Sequence, residues 1–307
     1  MDTLAGDEAD TAGLDALRAR IEALPPLRDV LASEGLTAKK SLGQHFLFDL
    51  NLTDKIARAA RMPGAPADAP LAGRTVVEVG PGPGGLTRSL LKAGARVIAV
   101  EKDARAAGVL DQLAAVADGR LTVHIADALT ADWREIAPES AVICANLPYN
   151  VATPLLVGWL TKGNWPSWWA SATIMVQREV AHRITAAPGG DDYGRLGVLA
   201  GVRTHATSVF DIAPAAFVPP PKVWSSVVRL DPKPEGGAVP IAALSAVTAA
   251  AFGQRRKMLR SSLKSLTKDP EGLLEAAGIT PTERAEQLAI ADFVRLAELY
   301  AREKAAA

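Results

Sequence analysis

Short apolar runs alternate with segments of helical periodicity from Thr75 to Gln177, and this alternation restricts the possible folds more than any other feature. Strands are predicted at 75–79, 96–100, 121–125, 141–145 and 172–176, with helices at 86–93, 103–116, 177–184 and 193–200. Alternating strands and helices predict a mainly parallel sheet with helices on both faces. Two later β-rich segments, 203–210 and 224–230, are predicted to be antiparallel neighbours because their connection is short.

The two ends of the chain are predicted to be helical. Apolar residues at helical spacing predict an amphipathic helix within 11–34, which Pro25-Pro26 interrupts. The Pro- and Gly-rich segment 231–237 is the best candidate domain boundary. We therefore expect an N-terminal helical extension (1–38), a central α/β domain (39–232) and a small C-terminal all-α domain (238–307).

The composition excludes several classes of protein. Cys144 is the only cysteine among 307 residues, so the sequence predicts no disulfide framework and fits a reducing compartment. The acidic start lacks the apolar core of a secretory signal, and no apolar run approaches the ~20 residues that span a bilayer. Four scattered histidines show no metal-ligand spacing. We expect a cytoplasmic protein without a metal site or membrane span.

A glycine-rich turn, Gly80-Pro81-Gly82-Pro83-Gly84-Gly85, follows the first strand of the sheet. Three of its glycines match a dinucleotide fingerprint, which raises the possibility of a nicotinamide-dependent dehydrogenase. Pro81 and Pro83 lack N–H groups, whereas a pyrophosphate cradle depends on backbone donors. The turn therefore favours a sulfonium cofactor, S-adenosylmethionine, for which Gly80 and Gly82 would permit close backbone approach.

Two acids end the next two strands. Glu101 lies about 20 residues after the turn, where an acid commonly binds ribose hydroxyls in either class of cofactor site. Asp127 follows the third strand and is a candidate acceptor for the amino group of an adenine. The alternative is that both acids cap helices or lie in loops, but their register behind the turn favours cofactor binding.

The fourth strand ends in the tetrapeptide Asn146-Leu147-Pro148-Tyr149. Ligands bind at the carboxyl ends of strands in open α/β sheets. An amide oxygen at Asn146 and the carbonyl of Leu147, restricted by Pro148, would accept hydrogen bonds from an exocyclic amino group. The ring of Tyr149 would stack on the base. The pattern predicts methylation of an adenine nitrogen through positioning, without a strong general base.

Positive charge is concentrated in one segment of this neutral chain. Residues 221–268 carry nine basic and two acidic side chains, a net charge of +7, whereas 269–307 carry four basic and eight acidic ones, a net charge of −4. A stripe of Arg256, Arg260, Lys264 and Lys268 is predicted along one helix, beside an apolar stripe that packs inward. A charged run is often only a solvated face, but beside a base-binding pocket it indicates phosphate contacts. The predicted RNA-binding residues are Lys222, Arg255, Arg256, Lys257, Arg260 and Lys264. Trp165, Trp168 and Trp169, before the fifth strand, are predicted to pack under a loop, with stacking on RNA as the alternative.

Seven motifs in order resemble those of the small-subunit ribosomal RNA adenine dimethyltransferases, and the resemblance runs from about Lys40 to Leu296. They are 41–47 (SLGQHFL), 78–82 (EVGPG), 146–149 (NLPY), 177–181 (QREVA), 193–196 (YGRL), 217–223 (FVPPPKV) and 251–257 (AFGQRRK). The resemblance implies a Rossmann-like S-adenosylmethionine-dependent methyltransferase sheet, mostly parallel with one antiparallel strand. It also implies dimethylation of N6 of two adjacent adenines near the 3′ end of small-subunit rRNA, within a 30S assembly intermediate, by a monomer.

The resemblance carries functional roles to individual residues of this chain. His45, Leu47, Gly80, Gly82, Glu101, Asp127 and Asn146 are implied to bind the cofactor. Asn146, Leu147, Tyr149 and Phe217 are implied to hold the target base. The family usually has Asn at the position of His45, and histidine can still donate or accept a hydrogen bond there.

Three other functions remain possible at this point. The first is methylation of large-subunit rRNA by an enzyme of the erythromycin-resistance type, against which stand the basic segment and the helical tail. The second is an RNA-binding assembly factor with a vestigial cofactor site. The third is the dehydrogenase, for which the sequence shows no evident acid or base for hydride transfer.

Overall fold

A computed structural model describes residues 3–62, 64–65, 69, 71–163, 165 and 167–306, and the side chains of these residues except 3–11 and 40. The ends of the predicted extension and tail, residues 1–2 and 307, lie outside the described residues. So does part of the Pro- and Ala-rich segment 63–73, which the sequence predicts to be a loop.

Each of the seven strands predicted from the sequence is present, and further short elements lie between them. The helices are α1 Thr3–Glu22, α2 Leu27–Ser33, α3 Leu50–Ala59, α4 Gly85–Lys92, α5 Ala107–Val116, α6 Trp133–Ile136, α7 Ala152–Thr161, α8 Arg178–Thr185, α9 Arg195–Arg203, α10 Ile241–Gly253, α11 Leu259–Ser262, α12 Pro270–Ala276 and α13 Ile290–Ala306. The strands are β1 Phe46–Leu47, β2 Thr75–Val79, β3 Arg96–Glu101, β4 Leu121–Ile125, β5 Ala141–Asn146, β6 Trp169–Gln177, β7 Thr204–Ile212, β8 Phe217–Val218 and β9 Ser225–Pro232. Short 3-10 turns occupy Lys40–Leu42, Ala104–Ala106, Pro214–Ala216, Pro234–Ala238, Leu263–Ser265 and Ala285–Gln287.

Seven strands form the main sheet in the order β4-β3-β2-β5-β6-β9-β7. The pairs β4–β3, β3–β2, β2–β5 and β5–β6 are parallel, and the sheet contains an antiparallel strand pair. This arrangement confirms the predicted fold class. The strand order reverses between β2 and β5, and ligands bind at such switch points in open α/β sheets.

A second sheet consists of only two short strands. β1 and β8 are antiparallel, with Phe46 opposite Val218 and Leu47 opposite Phe217. This pairing joins two of the recognised motifs, although they are far apart in the sequence.

The core explains the continuous apolar runs of the strands. Val76 and Val77 of β2 and Val142 and Ile143 of β5 are all 0% exposed, as expected for parallel strands covered on both faces. The predicted N-terminal helix is present as α1, and it begins earlier than the predicted segment. Its Leu17 is fully buried in the core cluster that also contains residues of β2, β3 and β5.

The chain divides into two compact units. The first consists of Met1–Leu155, Trp168–Arg178 and Val209–Arg229, and the second consists of Leu156–Ser167, Glu179–Ser208 and Leu230–Ala307. The second unit thus contains the C-terminal helices together with earlier segments of the chain. The domain boundaries proposed from the sequence, 39–232 and 238–307, stay a prediction.

The predicted basic stripe along one helix is wrong. Helix α10 ends at Gly253, and the chain resumes with the single turn α11 and a 3-10 turn. The backbone N–H of Leu259 donates to Glu283 O (2.8 Å) and that of Arg260 to Pro281 O (3.1 Å), so these groups do not extend the helix. Leu259 and Leu263 are nevertheless fully buried, as predicted for the neighbouring apolar stripe.

Two further differences concern local structure. Helices α6 and α7 were not predicted, and Trp169 begins β6 instead of preceding it. Trp168 stacks on Trp133, with ring centroids 5.2 Å apart. Among the described helices, none is both long and apolar enough to cross a membrane.

Candidate active site

One cavity gathers residues from five separate segments of the first unit. They belong to 41–47, 78–86, 100–102, 126–129 and 146–151. All seven residues predicted to bind the cofactor line this cavity: His45, Leu47, Gly80, Gly82, Glu101, Asp127 and Asn146. Leu147 and Tyr149 line it as well, so the sequence-predicted residues come together at the carboxyl ends of β2, β3 and β5.

The glycine-rich turn brings its backbone to the wall of the cavity. Gly80 and Gly82 have φ angles of +69° and +54°, a left-handed conformation that favours glycine. A Cβ atom at Gly80 would lie 3.3 Å from Pro148 Cδ, and one at Gly82 would lie 3.0 Å from Phe46 Cε1. The turn is therefore packed closely against both the tetrapeptide and β1.

Glu101 ends β3 with a buried carboxyl group that caps the turn. Its Oε2 accepts a hydrogen bond from Gly82 N (3.0 Å), and its Oε1 accepts one from Asp103 N (2.7 Å). Burial raises the pKa of the Glu101 carboxyl, while these backbone donors oppose the rise. Since each carboxylate oxygen has two lone pairs, acceptor capacity remains for a ligand hydroxyl.

Asp127 follows β4 and is held in place by two donors. Lys102 Nζ lies 2.7 Å from Asp127 Oδ2, and Leu129 N donates to Oδ1 (3.0 Å). The bond from Lys102, and then that from Leu129, lowers the pKa of the Asp127 carboxyl. Asp127 is therefore an ionised acceptor on the cavity wall.

Glu78 is a second carboxyl group beside the turn, and the sequence did not single out its side chain. It is 1% exposed, and Thr87 Oγ1 donates to its Oε2 (2.6 Å). Burial raises the pKa of Glu78 to about 8, against the effect of Thr87, and the charge of Glu101 adds to the rise. Near neutral pH this carboxyl group is mostly protonated.

The amide of Asn146 has a defined orientation. Asn146 Nδ2 donates to the backbone oxygen of His45 (3.2 Å), which leaves Oδ1 as the acceptor end of the amide. Asn146 ends β5, and the next residue, Leu147, donates its N–H to Met175 O (3.2 Å). The tetrapeptide is thus fixed to the sheet on one side and to β1 on the other.

The aromatic ring of Tyr149 is held at both ends. Its hydroxyl lies 2.5 Å from Ser225 Oγ, and its ring centroid lies 5.3 Å from that of His45 at a tilt of 32°. His45 Nδ1 lies 2.7 Å from Pro219 O. Burial raises the pKa of the Tyr149 hydroxyl, so it stays protonated at neutral pH.

Phe217 occupies a different position from the other predicted base-binding residues. It is 1% exposed, does not line the cavity and meets the His45 ring edge-on, with centroids 6.5 Å apart. A direct contact with the target base stays a prediction.

Two residues that line the cavity, Gln44 and Lys102, were not predicted as site residues, although Gln44 lies within the motif 41–47. Gln44 Nε2 donates to Asp103 Oδ2 (3.2 Å), and Arg105 donates to both oxygens of the same carboxylate. The bonds from Arg105 are the main cause that lowers the pKa of Asp103 to about 2. Lys102 was likewise not predicted, although its position directly after Glu101 was a possible clue. These residues fix the turn after β3 and the segment before β1.

The predicted RNA-binding residues are exposed, and they differ in their partners. Lys222 lies in the first unit, and the other five lie in the second. Arg255 Nε lies 3.9 Å from Glu286 Oε2, and Arg260 Nη1 lies 3.7 Å from Glu271 Oε1. Arg256, Lys257 and Lys264 have no carboxylate within 4.0 Å among the described residues.

Comparison with known proteins gives consistent matches over nearly the whole chain. The family model for ribosomal RNA adenine dimethylase matches residues 35–302. Ribosomal RNA small subunit methyltransferase A of Xanthobacter autotrophicus is 57% identical over 292 residues, which cover 94% of this chain and 98% of that protein. The protein of the same name from Methylobacterium radiotolerans is 58% identical over 279 residues, which cover 90% and 93%.

Two solved structures share the fold. A dimethyladenosine transferase from Plasmodium falciparum has a TM-score of 0.69 at 24% identity, covering 85% of this chain and 98% of that one. The 23S rRNA methyltransferase ErmE has a TM-score of 0.59 at 25% identity, covering 83% and 99%.

Proposed function

The chain belongs to the ribosomal RNA adenine dimethylase family, and we propose that it transfers methyl groups from S-adenosylmethionine to small-subunit rRNA. The products are N6,N6-dimethylated forms of two adjacent adenines in the hairpin near the 3′ end, made within a 30S assembly intermediate. Relatives with 57–58% identity are named small subunit methyltransferase A, whereas ErmE, which acts on 23S rRNA, is 25% identical. This difference favours the small subunit over the large subunit as the substrate, and the name methyltransferase favours an active enzyme over an assembly factor with a vestigial cofactor site. The proposed enzyme acts as a monomer in the cytoplasm, where bacterial subunits assemble.

The orientation of the Asn146 amide is the observation that carries the proposal. Its nitrogen is engaged by His45 O, so its oxygen is available to accept a hydrogen from the exocyclic amino group of adenine. A second acceptor, the Leu147 carbonyl, follows directly in the chain. Two acceptors on the amino hydrogens favour pyramidal geometry at N6, which withdraws its lone pair from the ring for attack on a methyl group.

The cavity fits a nucleoside sulfonium donor. Glu101 would accept from ribose hydroxyls, Asp127 from the adenine amino group of the donor, and the glycine turn would allow close approach of the amino-acid end. When bound, S-adenosylmethionine supplies an electrophilic methyl group. Pro81 and Pro83 offer no N–H groups, which fits a donor without phosphates better than a dinucleotide.

The target base would be held by stacking and polar contacts. Tyr149 presents a ring whose orientation is fixed by Ser225 and His45, and such rings hold bases that have left the helical stack. A protonated phenol cannot serve as a general base at neutral pH. Catalysis by this chain therefore rests on positioning and on preorganised acceptors.

Phosphate contacts would come from the exposed basic residues. Lys222, Arg255, Arg256, Lys257, Arg260 and Lys264 are the proposed set. Such contacts position the RNA and make binding weaken steeply with salt.

The decisive experiment is nucleoside mass spectrometry after incubation with S-adenosylmethionine and unmethylated small subunits, with naked large-subunit rRNA in parallel. Dimethyladenosine in the small-subunit sample alone is expected. Product on large-subunit rRNA alone would reject the proposed substrate, and no product on either would reject the proposed reaction.

Asn146→Ala tests the role of the tetrapeptide. We expect at least about a hundredfold loss of methylation, comparable to loss of a preorganised polar group in other active sites. Binding of small subunits should persist because Asn146 is not one of the proposed phosphate contacts. Asn51→Ala, an exposed asparagine outside the cavity, is the matched control. Full activity of Asn146→Ala would refute this role.

A further inference from the structure

Exposed apolar side chains occur between the last residue of β8 and the residue before β9. Val218, Val223 and Trp224 are 41%, 44% and 43% exposed. Lys222 is exposed in the same segment. Val223 and Trp224 are adjacent in the chain, and contiguous exposed apolar surface commonly marks a binding site.

The Trp224 ring is held by Arg178, the first residue of α8. Arg178 Cζ lies over the indole, 5.5 Å from the ring centroid, and Arg178 N donates to Trp224 O (2.9 Å). Arg178 is itself exposed. The two side chains therefore form a preorganised pair of planar groups, which we name the rim platform.

The rim platform is connected to the base-binding residues at close range. Ser225, the residue after Trp224, is fully buried and lies 2.5 Å from the Tyr149 hydroxyl through its Oγ. The same segment reaches His45 through Pro219 O at 2.7 Å. A single residue, Ser225, thus separates Trp224 from the contact with the Tyr149 hydroxyl.

We infer that the rim platform is a stacking subsite for the unpaired nucleotide that adjoins the adenine in the cavity. The inference rests on the proposed function. A base drawn into the cavity loses its stacking neighbour, and an indole backed by a guanidinium offers a replacement surface that accepts any base. Arg178 and Lys222 supply positive charge for the adjoining phosphates. Since the proposed substrate has two adjacent adenines, one would rest on the platform while the other is methylated.

The charge of this surface favours RNA over a protein partner. The two charged side chains nearest Trp224 in the chain segments that form the platform, Arg178 and Lys222, are basic, and the carboxylate of Glu179, the residue after Arg178, is paired with Arg183. An aromatic ring with flanking cations matches a base with its phosphate.

Steady-state methylation of small subunits by Trp224→Ala and Trp224→Phe provides the first test. We expect Trp224→Ala to raise KM about tenfold, as loss of one stacked base would, with kcat changed much less. Trp224→Phe retains a stacking ring and should stay within about twofold of wild type. Val209→Ala, which truncates an apolar side chain 40% exposed on β7, is the matched control and should leave KM unchanged.

Binding to an RNA hairpin with an abasic site next to the target adenine supplies the second test. The wild type should lose about tenfold in affinity relative to the intact hairpin, and Trp224→Ala should show no such loss, because the two changes remove the same contact. Equal losses for both proteins would overturn the inference. Weakened binding of subunits by Trp224→Ala with unchanged binding of the hairpin would also overturn it and would indicate a protein contact.

The two proposals fail in different ways. If the wild type makes no dimethyladenosine, the proposed function fails. The affinities for the intact and the abasic hairpin still test the rim platform, because they measure binding alone. If Asn146→Ala is inactive while Trp224→Ala has normal KM and normal hairpin binding, only the platform is refuted.

Discussion

The buried carboxyl group of Glu78 makes the free energy of unfolding of the protein depend on pH. Its ordinary pKa of 4.5 rises to about 8 on burial. Between these values the folded state holds a proton that the unfolded state has released. The free energy of unfolding therefore falls as pH rises through this window.

Glu78→Gln should remove this part of the pH dependence. The amide is neutral at every pH, so the wild type should lose stability relative to the variant between pH 5 and pH 8. One pKa unit corresponds to about 1.4 kcal/mol, so the relative change should reach a few kcal/mol. Thermal unfolding of both proteins across this range measures it.

Glu135→Gln is the control, because Glu135 is exposed. Its melting temperature should follow that of the wild type at every pH. Parallel curves for Glu78→Gln and the wild type would show that Glu78 is ionised in the folded protein.

The hydrogen bond between Tyr149 and Ser225 should matter for rate. Tyr149→Phe and Ser225→Ala each remove the 2.5 Å contact while leaving the Tyr149 ring or its phenylalanine equivalent in place. A typical hydrogen bond contributes about 0.5–1.5 kcal/mol, so each variant should lower kcat by roughly three- to tenfold. The double variant should lose no more than either single one, because all three lack the same bond. If the double variant lost activity in single-turnover assays by the product of the two single losses, the two residues would act separately.

At the scale of the elements, the basic segment shows where local pattern and tertiary structure diverge. Its spacing was compatible with one helix through Arg256, Arg260 and Lys264, but the N–H groups of Leu259 and Arg260 find carbonyl partners at Glu283 and Pro281. Contacts with residues so distant in sequence leave no trace in a helical periodicity. Of the predicted apolar stripe, Leu259 and Leu263 are buried, since burial depends on hydrophobicity, which is local, whereas Phe252 and Leu266 are only half-buried.

Charge reversal at Arg256 and Lys257 should weaken binding to small subunits. Neither residue has a carboxylate within 4.0 Å among the described residues, so both are available for phosphates, unlike Arg255 beside Glu286. Arg256→Glu with Lys257→Glu should reduce affinity at low salt. The slope of the logarithm of the binding constant against the logarithm of salt concentration should become shallower by roughly one for each lost contact. Filter binding over a series of salt concentrations measures both effects.

Arg302→Glu with Lys304→Glu changes the net charge equally and provides the control. Both residues lie near the end of α13 and are exposed. Comparable flattening by this pair would indicate a general charge effect and would remove the special role of 256–257.

The short strands show a second limit of local prediction. The bounds of β2 and β4 match the predicted segments, because five-residue runs rich in β-branched side chains carry a strong signal. β1 and β8 have two residues each, too few for any periodicity. Their motifs were noticed only through the family resemblance, which gave no account of why His45 and Phe217 should lie together.

At the scale of the whole molecule, the cavity residues at the ends of regular strands were predictable from the strand pattern, whereas those in irregular segments were not. Glu101 and Asn146 are the last residues of parallel strands and Asp127 follows the end of another, so the rule for carboxyl ends places them together. His45 lies in the irregular segment before β1, and the hydrogen bond from Asn146 Nδ2 to the His45 carbonyl fixes the orientation of the Asn146 amide. The pairing of Lys102 with Asp127 depends on side-chain geometry that no pattern encodes.

The final prediction concerns how binding and chemistry combine in this chain. The proposed catalytic residues belong to the first compact unit, and residues 255–264 belong to the second. Tyr149→Phe should act on the methyl-transfer step, and Arg256→Glu with Lys257→Glu should act on the encounter with RNA. If these steps are separate, the fractional losses in kcat/KM should multiply in the combined variant to within about twofold. Rates measured on small subunits at low and moderate salt test this. A combined loss well below the product would mean that the basic segment also helps to position the adenine against Asn146 and Tyr149, and that the second unit participates in catalysis itself.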